Sequence, residues 1–566
     1  SSASRKSICG YSVRCAIRAG VAALAVAAAA GAAAPERIAA RVPMRDGVRL
    51  NGALYRPPGA DPLPVLVVRT PYGTAPDLPP GYELFLGYGY GVFVQHVRGR
   101  GGSEGSFRPL RQERTDGRDT VEWVARQKWC DGRVGMLGAS YLGITQWKAA
   151  LEQPPSLKAI SPVMSGYDEY FDRFYSRGGA LKPGHRLSWL AQNLRPPGTP
   201  EPPFDTYTRH LPLRTADRAA TGRTIEFWQE ALNHPSRDLW WRAVSTADQL
   251  DRVQVPVFII GGWYDNFVES DLAAFEALSA RANVHRVLIG PWPHAVNMRF
   301  PAVDFGRDAV APIRRLQAEW FNQRIRGVLP ATPPAPVRIF VMGANRWRDE
   351  NEWPLARTRY TAFYLASGNV LASEPRAGDT PARFTFDPAR PVPTMGGAVC
   401  CTPRIFPWGP MDQRPIESRG DVLVYTTPAL DSDIEVTGAV RAVLWVSTNA
   451  PDTDFTAKLV DVYPDGRVIN LCDGILRLRY RQSLEQPVFM KANDVARIVI
   501  QAGVTSNLFK AGHRVRVEIS SSNFPRFDRN SNTGGRIADE RQFRKAAQTV
   551  WQGPQRPSHI LLPVIP

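Results

Sequence analysis

Gly138-Ala139-Ser140-Tyr141-Leu142-Gly143 has nearly the spacing that turns one serine into a nucleophile. A glycine two residues before a serine permits a sharp strand-to-helix turn, which lifts the hydroxyl clear of the sheet and leaves a backbone NH to receive an oxyanion. The second glycine comes one residue later than usual, with Leu142 in its ordinary place. An activated serine needs a base and a carboxylate that orients the base, and with such an elbow they follow in the order serine, acid, histidine. The chain has only eight histidines. His294 stands in the loop 290–294 just past a strand, and Asp265 holds the corresponding place after the preceding strand, in 261–267. Taken singly, such an Asp is a turn residue and such a His a solvated one. An elbow, an acid and a histidine in that order at three strand ends instead describe a nucleophilic triad of Ser140, Asp265 and His294. The glycine-rich stretch 99–105 has no Lys-Ser/Thr after it and lacks dinucleotide spacing, so it reads as a loop after a strand.

These groups need a rigid frame. Strand signals at 45–55, 64–69, 91–97, 133–137, 157–163, 255–261 and 284–289 alternate with helical ones, among them a short helix over 119–126. Several strands are continuous apolar runs, as in a mainly parallel sheet with helices on both faces. The alternation breaks over 166–253, where helical and aromatic signals gather, and an insertion there can cover the carboxyl ends of the strands as a cap. After about residue 357 strands at 422–426, 434–447, 455–462, 496–500 and 515–520, divided by turn residues, indicate a β-sandwich. The fold class is therefore α/β, with a first part at 35–165, a helical cap at 166–253, a second part at 254–356 and the β-sandwich at 357–566.

Hydrophobic content of 43% and charged content of 22% describe a globular protein. The formal charge of +17 is scattered and forms no stripe, so no nucleic-acid role is expected. Residues 1–34 read as a signal peptide: Arg5, Lys6, Arg14 and Arg18 precede an apolar run at 19–30 and a small-x-small site at 30–32. The run is too short and Ala-dominated for a stable membrane span, and the reading implies export to the periplasm or medium. Cys130, Cys400, Cys401 and Cys472 match no zinc spacing, and no metal or cofactor is expected. Adjacent Cys400 and Cys401 read as small apolar fillers in preference to a vicinal disulfide.

Several short segments in order resemble the bacterial cocaine esterase and α-amino-acid ester hydrolase family, related to the Xaa-Pro dipeptidyl peptidases. They are Arg69-Thr70-Pro71-Tyr72-Gly73, residues 98–105, the elbow with its late Gly143, Trp263-Tyr264-Asp265, residues 290–294, 409–413, 452–455 and 523–527. The resemblance implies an α/β-hydrolase domain, a helical cap and a C-terminal jelly-roll domain. It implies that Ser140 attacks a small-molecule ester or amide, that His294 is the base and Asp265 its orienter, and that Tyr141 NH and the Tyr72 hydroxyl meet the oxyanion. Phe267 and Trp263 then belong to the substrate pocket, with Phe267 suited either to an apolar acyl site or to plain core. Two departures stand out. His96 occupies a position where family members often carry an acid. Asn266 and Phe267 follow Asp265, which disfavours a site for a substrate ammonium; Asp168, Glu169 and Asp172 in the cap are the remaining candidates for one, Asp172 foremost, against a solvated helix face. The leading reading is an exported serine hydrolase of small carboxylic esters or amides. The alternatives are an α-amino-acid ester hydrolase, acylase or Xaa-Pro peptidase, and a non-catalytic binding protein.

Overall fold

A computed structural model describes residues 34–402 and 404–566, so all but the last residue of the segment read as a signal peptide lies outside the described residues. Ten strands build the first sheet: β1 Glu36–Pro43, β2 Arg49–Arg56, β3 Leu63–Thr70, β4 Gly91–His96, β5 Cys130–Ala139, β6 Leu157–Val163, β7 Phe258–Gly262, β8 Arg286–Gly290, β9 Val337–Val341 and β10 Arg346–Glu350. Their order is β1-β2-β4-β3-β5-β6-β7-β8-β9-β10. Pairings from β4 through β3 to β9 are parallel, while β1, β2 and β10 join antiparallel at the edges. Every residue of β3 and of β4 is buried. The side-chain alternation of a strand then splits them between two cores: Val65 and Val67 join Trp147 and Phe275 on one face, Leu66 and Val68 join Trp320 and Phe321 on the other.

Three departures from the sequence expectation bear on the frame of the first sheet. The strand expected at 45–55 begins later, as β2 from Arg49, because residues 44–48 turn at Gly47 with φ +84° to pair β2 with β1, which was not expected. Helix Glu113–Ala125 starts six residues earlier than expected, because Glu113 and Asp116 are buried. The hairpin of β9 and β10 extends the sheet where only a Pro-rich loop was legible.

Between β6 and β7 the chain is helical, with a π-helical turn at Glu169–Phe174 and helices Pro183–Asn193, Glu226–Asn233 and Leu239–Val244 among its elements. They share a core of Tyr170, Phe174, Trp189, Trp228 and Trp241. From Arg359–Ala366 onward eleven strands form a C-terminal β domain, the longest, Ile434–Thr448, pairing with Ala496–Phe509. This domain is tied to both other regions. Met342 NH donates to the Ser506 carbonyl at 3.0 Å, Gly184 NH to the Pro525 carbonyl at 2.9 Å and Leu181 NH to Asp528 Oδ1 at 2.9 Å. Asp528 in turn shares Arg477 with Asp454, at 2.7 and 2.9 Å. No helix among the described residues is long and apolar enough to cross a membrane.

Candidate active site

Ser140 follows β5 directly and precedes helix Tyr141–Leu151, at φ 57° and ψ −122°. This conformation is costly for a non-glycine residue and is held by the Ser140 NH bond to the Val163 carbonyl at 2.9 Å. Both glycines of the elbow have a steric reason. At Gly138, φ +142°, a Cβ would lie 2.5 Å from Leu142 Cβ; at Gly143 it would lie 2.4 Å from Ser165 Cβ. The late glycine therefore reflects helix Tyr141–Leu151 resting on Ser165, while Leu142 fills the space that Gly138 leaves. Tyr141 opens the helix, so its NH belongs to the first turn and has no intrahelical carbonyl.

The loops after β7 and β8 are laced together. Trp263 NH donates to the Gly290 carbonyl at 2.9 Å and Tyr264 NH to the Trp292 carbonyl at 3.0 Å. The approach is close enough that a Cβ on Gly262 would lie 2.3 Å from the Trp292 oxygen. This lacing sets His294 Nδ1 2.7 Å from Asp265 Oδ1. Asp265 is fully buried and its Oδ2 accepts the Phe267 NH at 3.2 Å. A carboxylate acceptor puts the proton on Nδ1, which leaves Nε2 as the basic nitrogen. Phe267 packs edge-on against His294 at 5.3 Å.

Tyr72 lies on the loop after β3. Its hydroxyl accepts from Trp189 Nε1 at 3.2 Å, and its ring meets Tyr141 edge-on at 6.5 Å. Burial pushes the phenol upward, against weaker pulls from Trp189 and Ser140, so it stays a protonated donor beside the nucleophile. Three supports were not legible in the sequence. His96 Nε2 lies 2.8 Å from the Tyr72 carbonyl, which requires Nε2–H, and burial holds His96 neutral. Arg100 Nε donates to the Pro71 carbonyl at 2.8 Å. The Tyr141 hydroxyl donates to buried Glu113 at 2.7 Å, and Glu113 pairs with Arg69 at 3.1 Å. His96 thus fixes the Tyr72 loop through a backbone carbonyl.

Ser140, Tyr72, Tyr141, Phe267, Trp189, His185, Arg173, Arg186 and Cys401 line one cleft. Of the residues expected in a substrate pocket, only Phe267 is there. Trp263 is core: its indole donates to the Phe340 carbonyl at 2.7 Å and its ring faces Trp353. Asp172 turns inward and accepts the NH groups of Tyr167 and Asp168 at 2.8 and 2.7 Å. Asp168 accepts from Tyr170 and Phe171 NH, and Glu169 pairs with Lys148 and Arg173 at 2.7 and 2.9 Å. These acids are 2–3% exposed, neither a solvated face nor open to a substrate amine, because backbone NH groups and cations already occupy them.

Cys400 and Cys401 are disulfide-bonded, correcting the expectation of two fillers. His185 and the two sulfurs lie within 4.8 Å of one another, but sulfurs bonded to each other are not thiolate ligands. A larger cleft of about 490 Å³ adjoins the first at Pro109 and is lined by Arg100, Arg108, Arg111, Arg223, Glu226 and Glu230. It holds no triad residue.

Residues 46–296 match the X-Pro dipeptidyl-peptidase (S15) family and residues 331–561 the X-Pro dipeptidyl-peptidase C-terminal non-catalytic domain. The chain is 41% identical to the cocaine esterase of Rhodococcus sp. (strain MB1 Bresler), over 93% of this chain and 97% of that protein. Among solved structures it is similar to an aminopeptidase from the marine sediment archaeon Thaumarchaeota archaeon, with a TM-score of 0.85 and 26% identity over 94% of this chain and 97% of the other. It is likewise similar to an α-amino acid ester hydrolase, with a TM-score of 0.83 and 27% identity over 94% and 98%.

Proposed function

The chain belongs to the bacterial cocaine esterase family within the S15 serine hydrolases, and from that premise we propose that it cleaves small carboxylic esters or amides through an acyl-enzyme on Ser140. Ser140 Oγ attacks the carbonyl carbon while His294 Nε2 takes its proton. Asp265 holds the imidazole by Nδ1 and stabilises the imidazolium. The tetrahedral oxyanion accepts from Tyr141 NH and the Tyr72 hydroxyl. Collapse expels the alcohol with the proton from His294, and water repeats the sequence to release the acid. The observation that carries this reading is the 2.7 Å contact between Asp265 and His294, set by the backbone bonds that lace their two loops together.

An amino-acyl ester or Xaa-Pro peptide is the weaker candidate, since its ammonium needs a free carboxylate and the cleft instead offers Arg173 and Arg186. Labelling with a fluorophosphonate tests the assignment: wild type is labelled, Ser140→Ala is not, and label retained by Ser140→Ala refutes it. The basic and apolar residues of 1–34 support export. Expression in a Gram-negative host followed by N-terminal sequencing of the periplasmic fraction tests that; uncleaved protein confined to the cytoplasm refutes it.

A further inference from the structure

Arg186 is a buried cation with no carboxylate partner among the described residues. It projects from helix Pro183–Asn193, is 5% exposed, and lines the cleft with Ser140 and Tyr72. Its Nε donates to the Arg173 carbonyl at 3.1 Å, and its terminal nitrogens have no acceptor among the described residues. No carboxylate among those residues pairs with it, because Glu169 is already taken by Lys148 and Arg173. Its guanidinium is seated over Phe174, Trp189 and Phe227 at 4.9, 5.6 and 5.9 Å, which fixes its plane without neutralising it. Burial and Arg173 pull its pKa down to about 9, which still leaves it charged at neutral pH.

The approach to this group is electropositive as well. In the adjoining cleft Arg108 and Arg111 are paired with Glu226 and Glu230. Arg100 and Arg223 bond only to carbonyls, of Pro71, Asn193 and Leu194. Three guanidiniums without carboxylates therefore line the two adjoining clefts, and for Arg186, the buried one, an unpaired charge is retained only against a strong cost. A guanidinium that is planar, oriented and open on one side fits a carboxylate through two parallel N–H···O bonds.

We propose that Arg186 receives the free carboxylate of the substrate, so that the enzyme acts on half-esters of dicarboxylic acids, the acyl chain lying along Phe267 with its ester carbonyl at Ser140. The proposal rests on the hydrolase reading above. The chemistry at Ser140 is unchanged by it; the free carboxylate supplies the counter-charge that the cap withholds.

The test compares 4-nitrophenyl hemiadipate with 4-nitrophenyl hexanoate, which replaces the distal carboxylate by a methyl group. Wild type is expected to favour the hemiadipate in kcat/KM by about tenfold or more at low salt, with the preference shrinking as salt rises. Arg186→Met is expected to lower the ratio of the two kcat/KM values about 100-fold, and Arg186→Lys to restore part of it. A wild-type preference for the hexanoate, or a ratio unmoved by Arg186→Met, overturns the proposal. If Arg186→Met does not fold, inhibition of wild type by hexanoate and by hexanamide, its uncharged counterpart, decides: a hexanoate constant about tenfold lower or better supports the site, and equal constants overturn it. Hydrolysis of neither ester, or equal hydrolysis by Ser140→Ala, is failure of the hydrolase reading alone. Calorimetric binding of adipate to Ser140→Ala, with and without Arg186→Met, then judges the anion site by itself.

Discussion

Tyr72→Phe removes a single hydrogen-bond donor from the proposed oxyanion site and almost nothing else. The ring keeps its edge contact with Tyr141, and the backbone carbonyl keeps its bond from His96. Two donors are proposed for the oxyanion, so losing one raises the barrier by about 3 kcal/mol, or roughly 10²-fold in rate. The variant also strands the Trp189 indole, whose bond to the hydroxyl is 3.2 Å long, at a stability cost of about 1 kcal/mol. The two effects separate experimentally. Steady-state kinetics on 4-nitrophenyl acetate should show kcat and kcat/KM falling together, since the donor acts on the oxyanion and not on the bound ester. Thermal unfolding should shift by only a few degrees. A kcat within fivefold of wild type, or a loss confined to KM, refutes the assignment of Tyr72 as a donor to the transition state.

Other perturbations address the frame. Glu113→Ala should cost about 3 kcal/mol in chemical denaturation by leaving buried Arg69 with only Asp116, 4.0 Å away, as a carboxylate partner, whereas Tyr141→Phe, which keeps the backbone NH, should retain kcat within a few-fold. Gly138→Ala should destabilise by about 3 kcal/mol or more, since its Cβ would meet Leu142 at φ +142°, while Gly47→Ala, with open space around it, should cost about 1 kcal/mol. Asp265→Asn should lower kcat by about 10³–10⁴ at neutral pH without unfolding the protein, checked by single-turnover acylation. His285 is pulled from 6.5 to about 4 by burial, and its Nδ1 accepts the Val257 NH at 3.2 Å. As pH falls below 6.5 the unfolded chain gains a proton there that the folded one refuses. Stability of about 1–2 kcal/mol, after allowance for solvent screening, should then be lost between pH 6.5 and 4. Urea midpoints of wild type should fall more steeply over that range than those of His285→Asn, and parallel curves would count against it.

The elbow, the acid and the histidine were legible because each sits at a strand end marked by local spacing. Their supports were not. Arg69 and His96 fall in strands legible as buried and Glu113 carries no local signal, but the pairings across 24 to 44 residues that make their burial tolerable have no trace in local spacing. Trp263 misled for the same reason: an aromatic beside Asp265 looks like a pocket wall until β9, invisible behind its Pro-rich approach, brings the Phe340 carbonyl to the indole. The cap acids likewise lost their apparent exposure to Lys148, Arg173 and backbone NH groups that no periodicity reveals. Gly143 was visible as an oddity, but its cause, Ser165, lies on the far side of β6.

Cys401 reaches the nucleophile's cleft from the C-terminal β domain, the region that carries no triad member. That region lies outside the ten-stranded sheet that aligns the dyad. Cutting the β domain away would do more than shorten the enzyme: it would remove one wall of the reaction chamber and the bonds at Leu181 and Gly184 that hold the cap over it.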